Sequence, residues 1–146
     1  MLRRFSAGLL IIAAFIASDR AIAIASPKPI AKELIKANQT LGGRVVKYPE
    51  GTPEMRMYQI TIPVGAKIPL HTHPSPVIVY VQQGTLTNVR IVDGVEVIDL
   101  IKEGKGFLEG SPEEPHYIIN SGSKPAVSLV TFASAEGMPN LIPFNN

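Results

Sequence analysis

Cysteine and tryptophan are both missing from this chain of 146 residues. The lack of cysteine excludes disulfide bonds, thiolate metal sites and catalytic cysteines. Long hydrophobic runs are missing as well, because the longest apolar stretch, residues 7–17, is too short to cross a bilayer as a helix. The chain is nevertheless 45% hydrophobic, which excludes a largely disordered protein and indicates one domain with a substantial core.

The apolar stretch near the N-terminus is the centre of a signal-peptide pattern. Arg3 and Arg4 precede it, and small residues that include Ala23 and Ala25 follow it. A basic start, a short apolar centre and small residues at a cleavage site are typical of export signals. We therefore predict a signal peptide at residues 1–25, cleaved after one of these two alanines, and a periplasmic or secreted protein. An uncleaved interfacial helix is the alternative.

The net charge of +2 comes from the same N-terminal segment. Cleavage removes three of the fourteen basic and one of the twelve acidic side chains, and so leaves eleven of each sign. A neutral chain has no basic surplus for nucleic acid or for an anionic membrane surface. The sequence therefore predicts no nucleic-acid partner and no stable membrane insertion after cleavage.

Prolines and glycines, thirteen and twelve in number, favour short strands joined by turns over a helical bundle. The dipeptide Asp93-Gly94, between two strand candidates, is the strongest hairpin signal in the chain. From these signals we predict an all-β fold, an antiparallel sandwich or barrel. The candidate strands are residues 44–48, 55–62, 68–73, 77–82, 85–92, 95–101, 107–109, 116–120 and 126–132.

Two segments are predicted to flank the β-domain. Residues 26–42 have the pattern of a linker and a short helix or N-terminal arm, in which Ile30, Leu34 and Ile35 lie on one apolar stripe. Residues 134–146 are predicted to form an irregular C-terminal tail. The β-domain itself is then expected at residues 43–133.

The three histidines of the chain are the strongest candidates for a functional site. His71 and His73 lie two residues apart on a candidate strand, so their rings project from the same face. His116 lies on a later candidate strand that a barrel could bring opposite. Imidazole is a good ligand for zinc, copper, iron and nickel. On spacing alone a structural role in the core or a surface position stays open, because short motifs match often by chance.

The surroundings of these histidines match a known pair of motifs. Gly65 begins a G-x5-H-x-H stretch that ends at His73, and Gly84 follows eleven residues later. His116 begins an H-x3-N stretch that ends at Asn120. In these motifs the chain resembles the cupin family over about residues 43–133. It further resembles a group of small exported bacterial single-domain cupins, to which no secure reaction can be attached.

The resemblance implies a fold and a metal site. Cupins are small double-stranded β-barrels of the jelly-roll type, with one divalent metal ion inside the barrel. Carried over residue by residue, the metal ligands are His71, His73 and His116. The resemblance also makes a homodimer an option, because small cupins often dimerise through an N-terminal strand.

The chain departs from the family pattern at two places. The glutamate of the first family motif falls at Val77, which cannot ligate a metal, and the proline and glycine before the third histidine are out of register at residues 111–116. Three neutral imidazoles alone would leave the full charge of a divalent ion uncompensated. That ligand set predicts Fe(II), Zn, Ni or Cu rather than Mn.

Glu109 is the one weak candidate for a catalytic residue. It lies on the strand that leads to His116, from which it could serve as a fourth ligand or as a base. Glutamate side chains are mostly exposed, however, so we expect Glu109 to be solvated. The catalytic residues are otherwise unknown.

Three functions are compatible with these residues. The first is an exported metal-dependent dioxygenase that acts on a small oxygen-rich or aromatic compound. The second is a non-catalytic module that binds or senses a metal or another small ligand, and the missing glutamate favours it. The third is a purely structural dimeric domain. The metal content of the protein separates the third from the others, and metal-dependent oxygen uptake separates the first from the second.

Overall fold

The computed structural model describes residues 28–144, so the signal peptide predicted at residues 1–25 lies outside the described residues. Nine β-strands and no helix are found in the described part, which confirms the all-β class. It follows that no helix within residues 28–144 is long and apolar enough to cross a membrane. The strands are β1 (Pro53–Ile62), β2 (Lys67–Thr72), β3 (Val77–Gln83), β4 (Thr85–Val92), β5 (Val95–Lys102), β6 (Gly106–Glu109), β7 (His116–Ile119), β8 (Ala126–Ala135) and β9 (Ile142–Pro143).

The strands form two antiparallel sheets with the apolar core between them. One sheet has the order β1-β8-β3-β6 and the other has the order β5-β4-β7-β2-β9. Alternate residues of β3 point inward, so that Val77, Val79 and Val81 are buried in the core, whereas Ile78 is partly exposed. Leu86 of β4 and Ile118 of β7 supply the opposite side of the same cluster. The core thus joins both sheets into one barrel.

The hairpin predicted at Asp93-Gly94 is confirmed. It joins β4 to β5, whose register is continuous up to the pair Val92 and Val95. Asp93 has a φ of 52° and Gly94 a φ of 78°. Positive φ at both central residues is what a tight two-residue hairpin turn requires, which explains why this dipeptide was a reliable signal.

The segment before β1 differs from the prediction. The described residues 28–42 form an irregular arm without a helix, and residues 44–48 make only one isolated bridge, between Gln39 and Val45. Leu34 is exposed and Ile35 is only partly buried, so the apolar stripe keeps part of its surface exposed. A short isolated helix is marginal in water, because most helix stability comes from burying an apolar face. The prediction of a helix was therefore wrong for residues 28–42.

The C-terminal segment is more ordered than predicted. Strand β8 continues to Ala135, past the expected end of the domain at residue 133. After a turn, Ile142 and Pro143 form β9 against β2, opposite Thr72 and His71. An unpaired strand edge offers free backbone donors and acceptors, and β9 uses part of this edge. The tail is thus an element of the barrel beside the first histidine motif.

Candidate metal centre

The fold brings the three histidines together inside the barrel. His71 lies on β2, directly opposite His116 of β7, and His73 follows β2. All three side chains are buried, with 3–4% of their surface exposed. Each ring offers a nitrogen, and these nitrogens lie within 4.8 Å of one another. The geometry is that of a site able to hold one metal ion.

Backbone carbonyl groups orient all three rings. The Nδ1 atom of His71 lies 2.7 Å from the carbonyl oxygen of Pro69. The Nδ1 atom of His73 lies 2.7 Å from the carbonyl oxygen of Asn140, and that of His116 lies 3.0 Å from the carbonyl oxygen of Glu114. A carbonyl only accepts hydrogen bonds, so each Nδ1 carries the ring hydrogen in these contacts. In the neutral imidazole, Nε2 is then the bare nitrogen, which is the tautomer needed for metal binding.

Glu109 is buried at the histidine cluster, so the expectation of a solvated side chain was wrong. Only 8% of Glu109 is exposed. Its Oε2 atom lies 3.3 Å from Nε2 of His73, and its Oε1 atom lies 3.3 Å from Nε2 of His116. A buried carboxylate is costly unless a cation or a hydrogen-bond donor faces it, so Glu109 needs such a partner at the cluster.

The pairing of β3 with β6 explains how Glu109 reaches the cluster. Glu109 is directly opposite Val77, the position where the family motif has its glutamate. Residues directly opposite each other on adjacent strands share one face of the sheet. A carboxylate therefore reaches the cluster from the neighbouring strand, and the departure at Val77 does not leave the three imidazoles without one.

The cluster is rich in acceptors and poor in donors. The Nε2 atoms of His71 and His73 are 3.2 Å apart, and in the tautomers set by the carbonyl groups neither carries a hydrogen. Oε1 of Glu109 and Nε2 of His116 face each other at 3.3 Å, and no hydrogen lies between them while His116 is neutral. Buried acceptors without donors are costly. A cation at their centre would satisfy all of them, so the residues present fit a divalent metal ion.

The same contacts shift the pKa values of the cluster. Burial, together with the neighbouring His116, lowers the pKa of His71 to about 4. Burial alone would raise the pKa of Glu109, but the charges and hydrogen bonds of His116 and His73 outweigh it and hold this pKa well below its usual range. Burial would likewise lower the pKa of His116, but Glu109 outweighs it and raises this pKa above its usual value. In the metal-free protein, His116 thus holds a proton more readily than His71 does, and it is paired with Glu109.

The C-terminal segment supports the site from outside. We call residues 138–144 the C-terminal strap. Asn140 supplies the carbonyl that orients His73, and its side-chain Oδ1 accepts a hydrogen bond of 2.6 Å from Arg56 of β1. Arg56 also donates to the carbonyl oxygen of Met138 at 2.8 Å. The guanidinium of Arg56 therefore holds the strap in the position from which it orients His73.

Asn120, the last residue of the second motif, does not belong to the cluster. Its side-chain Nδ2 donates to the carbonyl groups of Ile62 and Lys124, and its Oδ1 accepts from the backbone of Gly122. It is fully buried and closes the turn after β7. Its role is thus structural, as expected for an asparagine in a turn.

A small apolar chamber adjoins the histidines. Its volume is about 80 Å³. His71, His73 and Glu109 line one part of it, and Leu141 of the strap, 38% exposed, lines the part nearest the surface. The other walls are mostly aliphatic and aromatic, and include Ile60, Ile68, Val79, Phe107, Val130 and Phe132. A metal in the cluster would therefore face an apolar cavity.

A family model and several solved structures resemble this chain. The cupin-domain family model matches residues 58–132, about half of the chain. An oxalate oxidase in complex with the substrate analogue glycolate is 22% identical, with a TM-score of 0.52, over 60% of this chain and 45% of its own. An oxalate decarboxylase of Lactobacillus farciminis, in a formate complex, is 22% identical, with a TM-score of 0.53, over 62% of this chain and 26% of its own.

A DMSP lyase of Ruegeria pomeroyi is 19% identical, with a TM-score of 0.51, over 61% of this chain and 42% of its own. This chain spans less than half the length of these three proteins. At such identities the similarity shows a common fold, and it confirms the jelly-roll barrel. None of the curated proteins matches the sequence.

Proposed function

Because the chain belongs to the cupin family, we propose that it binds one divalent metal ion through its three clustered histidines and Glu109. The bound ion would hold a small molecule in the adjoining chamber. One observation supports this proposal above all. Four buried side chains point acceptor atoms at one another, and the carbonyl groups behind the rings leave the facing nitrogens of His71 and His73 without a hydrogen.

Glu109 changes the metals that we propose. Imidazole suits iron, zinc, nickel and copper, whereas carboxylate oxygen suits harder ions such as manganese. The prediction against manganese was based on a set of three imidazoles without a carboxylate. With Glu109 as a fourth ligand, the site has a mixed donor set and one compensating negative charge. We therefore propose iron(II) first and no longer disfavour manganese.

The finer proposal is a metal-dependent dioxygenase. A bound ion would supply a Lewis acid for an oxygen donor and, if it is iron, electrons for dioxygen. The chain's own residues would hold the ion, exclude bulk water with the apolar walls and limit the size of the substrate. A chamber of about 80 Å³ favours a small oxygen-rich compound over an aromatic one, because an engineered cavity that takes benzene has about 150 Å³.

A non-catalytic module that binds or senses a small ligand is the second candidate. Among the residues that line the chamber, the titratable ones are His71, His73 and Glu109, and all three are engaged at the cluster. A separate acid or base for proton transfer is therefore missing from this lining. Oxygen uptake by the iron-loaded protein with candidate substrates distinguishes the two functions.

The proposed location is the periplasm or the medium, and it is supported by the N-terminal sequence pattern. A homodimer is proposed as well. Strand β1 lies at the edge of its sheet and exposes Met55, Met57 and Tyr58. An apolar strand edge of this kind is suited to pairing with a second copy. Sedimentation of the purified protein tests this proposal, and a monomer at all concentrations contradicts it.

Elemental analysis of the protein purified without added metal tests the metal site. We expect one divalent ion per chain in the wild type. Alanine in place of His71, His73 or His116 should remove most of it, because each substitution removes one ligand. The matched control is Glu136→Ala, which removes an exposed side chain after β8. A triple alanine variant that retains its metal would show that the ligand assignment is wrong.

A further inference from the structure

The chamber beside the histidines has a charge pattern that limits its ligands. Its lining contains the Glu109 carboxylate but no lysine and no arginine among the described residues. With a divalent ion bound, the cluster would carry one net positive charge, because Glu109 offsets one of the two. One further negative charge would make the site neutral, whereas two would leave an unpaired anion inside apolar walls. Burying an unpaired charge is costly, so the chamber disfavours dianions.

The volume of the chamber sets a second limit. Benzene, with six carbon atoms, occupies an engineered cavity of about 150 Å³, so about 80 Å³ holds roughly three or four non-hydrogen atoms. The walls come from core positions on both sheets, such as Phe107 of β6, Val130 of β8 and Ile118 of β7. Packed core positions expand little, because interiors are close-packed. A ring or a branched chain does not fit.

A third observation concerns the hydroxyl group of Ser128. Ser128 lies on β8, 2% exposed, and lines the chamber, but its Oγ atom has no hydrogen-bond partner. It is four residues from Phe132, which is paired with Val77 at the level of Glu109. At about 3.3 Å per residue, Ser128 lies about 13 Å along the strand from that level. It therefore marks the inner end of the chamber, away from the histidines.

From these observations we infer that the chamber takes a short aliphatic monocarboxylate, with the carboxylate on the metal and the alkyl chain directed toward Ser128. This inference rests on the proposed metal site. The monoanion neutralises the loaded cluster, and the alkyl chain fits the apolar walls. Each buried methylene group contributes about a fourfold gain in affinity until the chamber is full.

Cobalt(II)-loaded protein, whose visible spectrum reports on the coordination of the ion, provides the test. Formate, acetate, propionate, butyrate and valerate are titrated in turn, together with acetamide, benzoate and oxalate. We expect affinity to rise about fourfold per carbon to a maximum at acetate or propionate, and to fall at least tenfold by valerate. Acetamide, benzoate and oxalate should bind at least tenfold more weakly than the best monocarboxylate.

Two variants on β8 locate the alkyl chain. Val130 lines the chamber two residues from Phe132, about 7 Å along the strand from the level of Glu109, and Val130→Ile adds one methylene group there. Its maximum should shift to a chain one carbon shorter, with the cobalt affinity unchanged. Ser128→Ala, which removes only an oxygen at the inner end, is the control and should keep the wild-type maximum.

The possible outcomes test the metal site and the ligand class separately. Protein that binds no cobalt(II) overturns both the metal site and the ligand class. Protein that binds cobalt(II) but prefers oxalate or benzoate overturns the ligand class alone. The ligand class is also overturned if none of these molecules changes the spectrum of the cobalt(II)-loaded protein. An unchanged chain-length maximum in Val130→Ile overturns the orientation of the ligand.

Discussion

Moving the carboxylate from β6 to β3 tests directly whether it contributes to metal binding. Glu109 of β6 and Val77 of β3 are directly opposite each other. Their Cβ atoms are therefore about 5 Å apart, and both side chains project from the same face of the sheet. The variant Glu109→Val removes the carboxylate from the cluster, and the double variant Val77→Glu/Glu109→Val returns it from the adjacent strand.

The expected magnitude follows from the loss of one charged partner. Removing one member of a buried charge pair costs about 3 kcal/mol, which corresponds to about a 100-fold loss of metal affinity. At a metal concentration 1,000 times the wild-type Kd, binding stabilises the wild type by about 4.1 kcal/mol and Glu109→Val by only about 1.4 kcal/mol. At about 4 °C per kcal/mol, these free energies correspond to Tm increases of about 16 °C and about 6 °C.

Thermal melts with chelator and with iron(II) or manganese measure these increases. The double variant should regain most of the metal-induced increase in Tm that the wild type shows. The single variant Val77→Glu places two carboxylates side by side, so its metal-free form should melt below the wild type because like charges are buried together. The control Glu136→Val removes an exposed glutamate after β8 and should melt like the wild type with and without metal.

Two results would refute this reasoning. If Glu109→Val keeps the full metal-induced increase in Tm, the carboxylate does not contribute to metal binding. If the double variant is folded but gains no more than Glu109→Val, then position 77 does not face the cluster and the register of β3 with β6 is not the one described.

Three further predictions concern pH, the strap and export. Metal affinity should fall as pH decreases through the pKa of His116, because a protonated imidazole cannot ligate a metal. Glu109 raises this pKa above its usual value of 6.5. His71, with a pKa of about 4, stays neutral over this range. Calorimetric titration in buffers of different ionisation enthalpy should show proton release near neutral pH, and an affinity that is constant from pH 8 to pH 5 contradicts the ligand role of His116. Arg56→Met should loosen the C-terminal strap and lower metal affinity by about 10- to 100-fold in a chelator competition, as the loss of an outer hydrogen-bond partner usually does. The control Lys124→Met, which removes an exposed ion pair to Glu103, should leave the affinity unchanged, and equal effects of the two variants would argue against the strap. Mass spectrometry of the native protein should find a chain that begins at Ile24 or Ser26, and an intact N-terminus on a cytosolic protein would rule out export.

Local signals predicted the parts of the molecule that depend on neighbouring residues. The hairpin at Asp93-Gly94 is specified by two residues that tolerate positive φ. His71 and His73 share a face because side chains alternate along a strand, and His116 was located by its motif. The absence of a helix in residues 28–42 was missed because the pattern of apolar residues does not show whether another surface covers them.

The parts that the sequence did not predict depend on pairing across long separations. Glu109 reaches the cluster only because β6 pairs with β3 in a register that sets it opposite Val77. The usual exposure of glutamate side chains therefore led to a wrong prediction, because Glu109 is buried. Asn140 acts through its backbone carbonyl, which carries no residue-specific signal, and Arg56 of β1 contacts it across 84 positions in sequence.

The most direct test of the account is a crystal structure of the purified protein grown with iron(II) or manganese, with diffraction recorded at the metal's absorption edge. The account predicts one anomalous peak inside the barrel. Nε2 atoms of the three histidines and a carboxylate oxygen of Glu109 should lie within about 2.0–2.3 Å of it. A peak elsewhere, or a peak bound by the histidines with Glu109 turned away to solvent, would contradict the central claim.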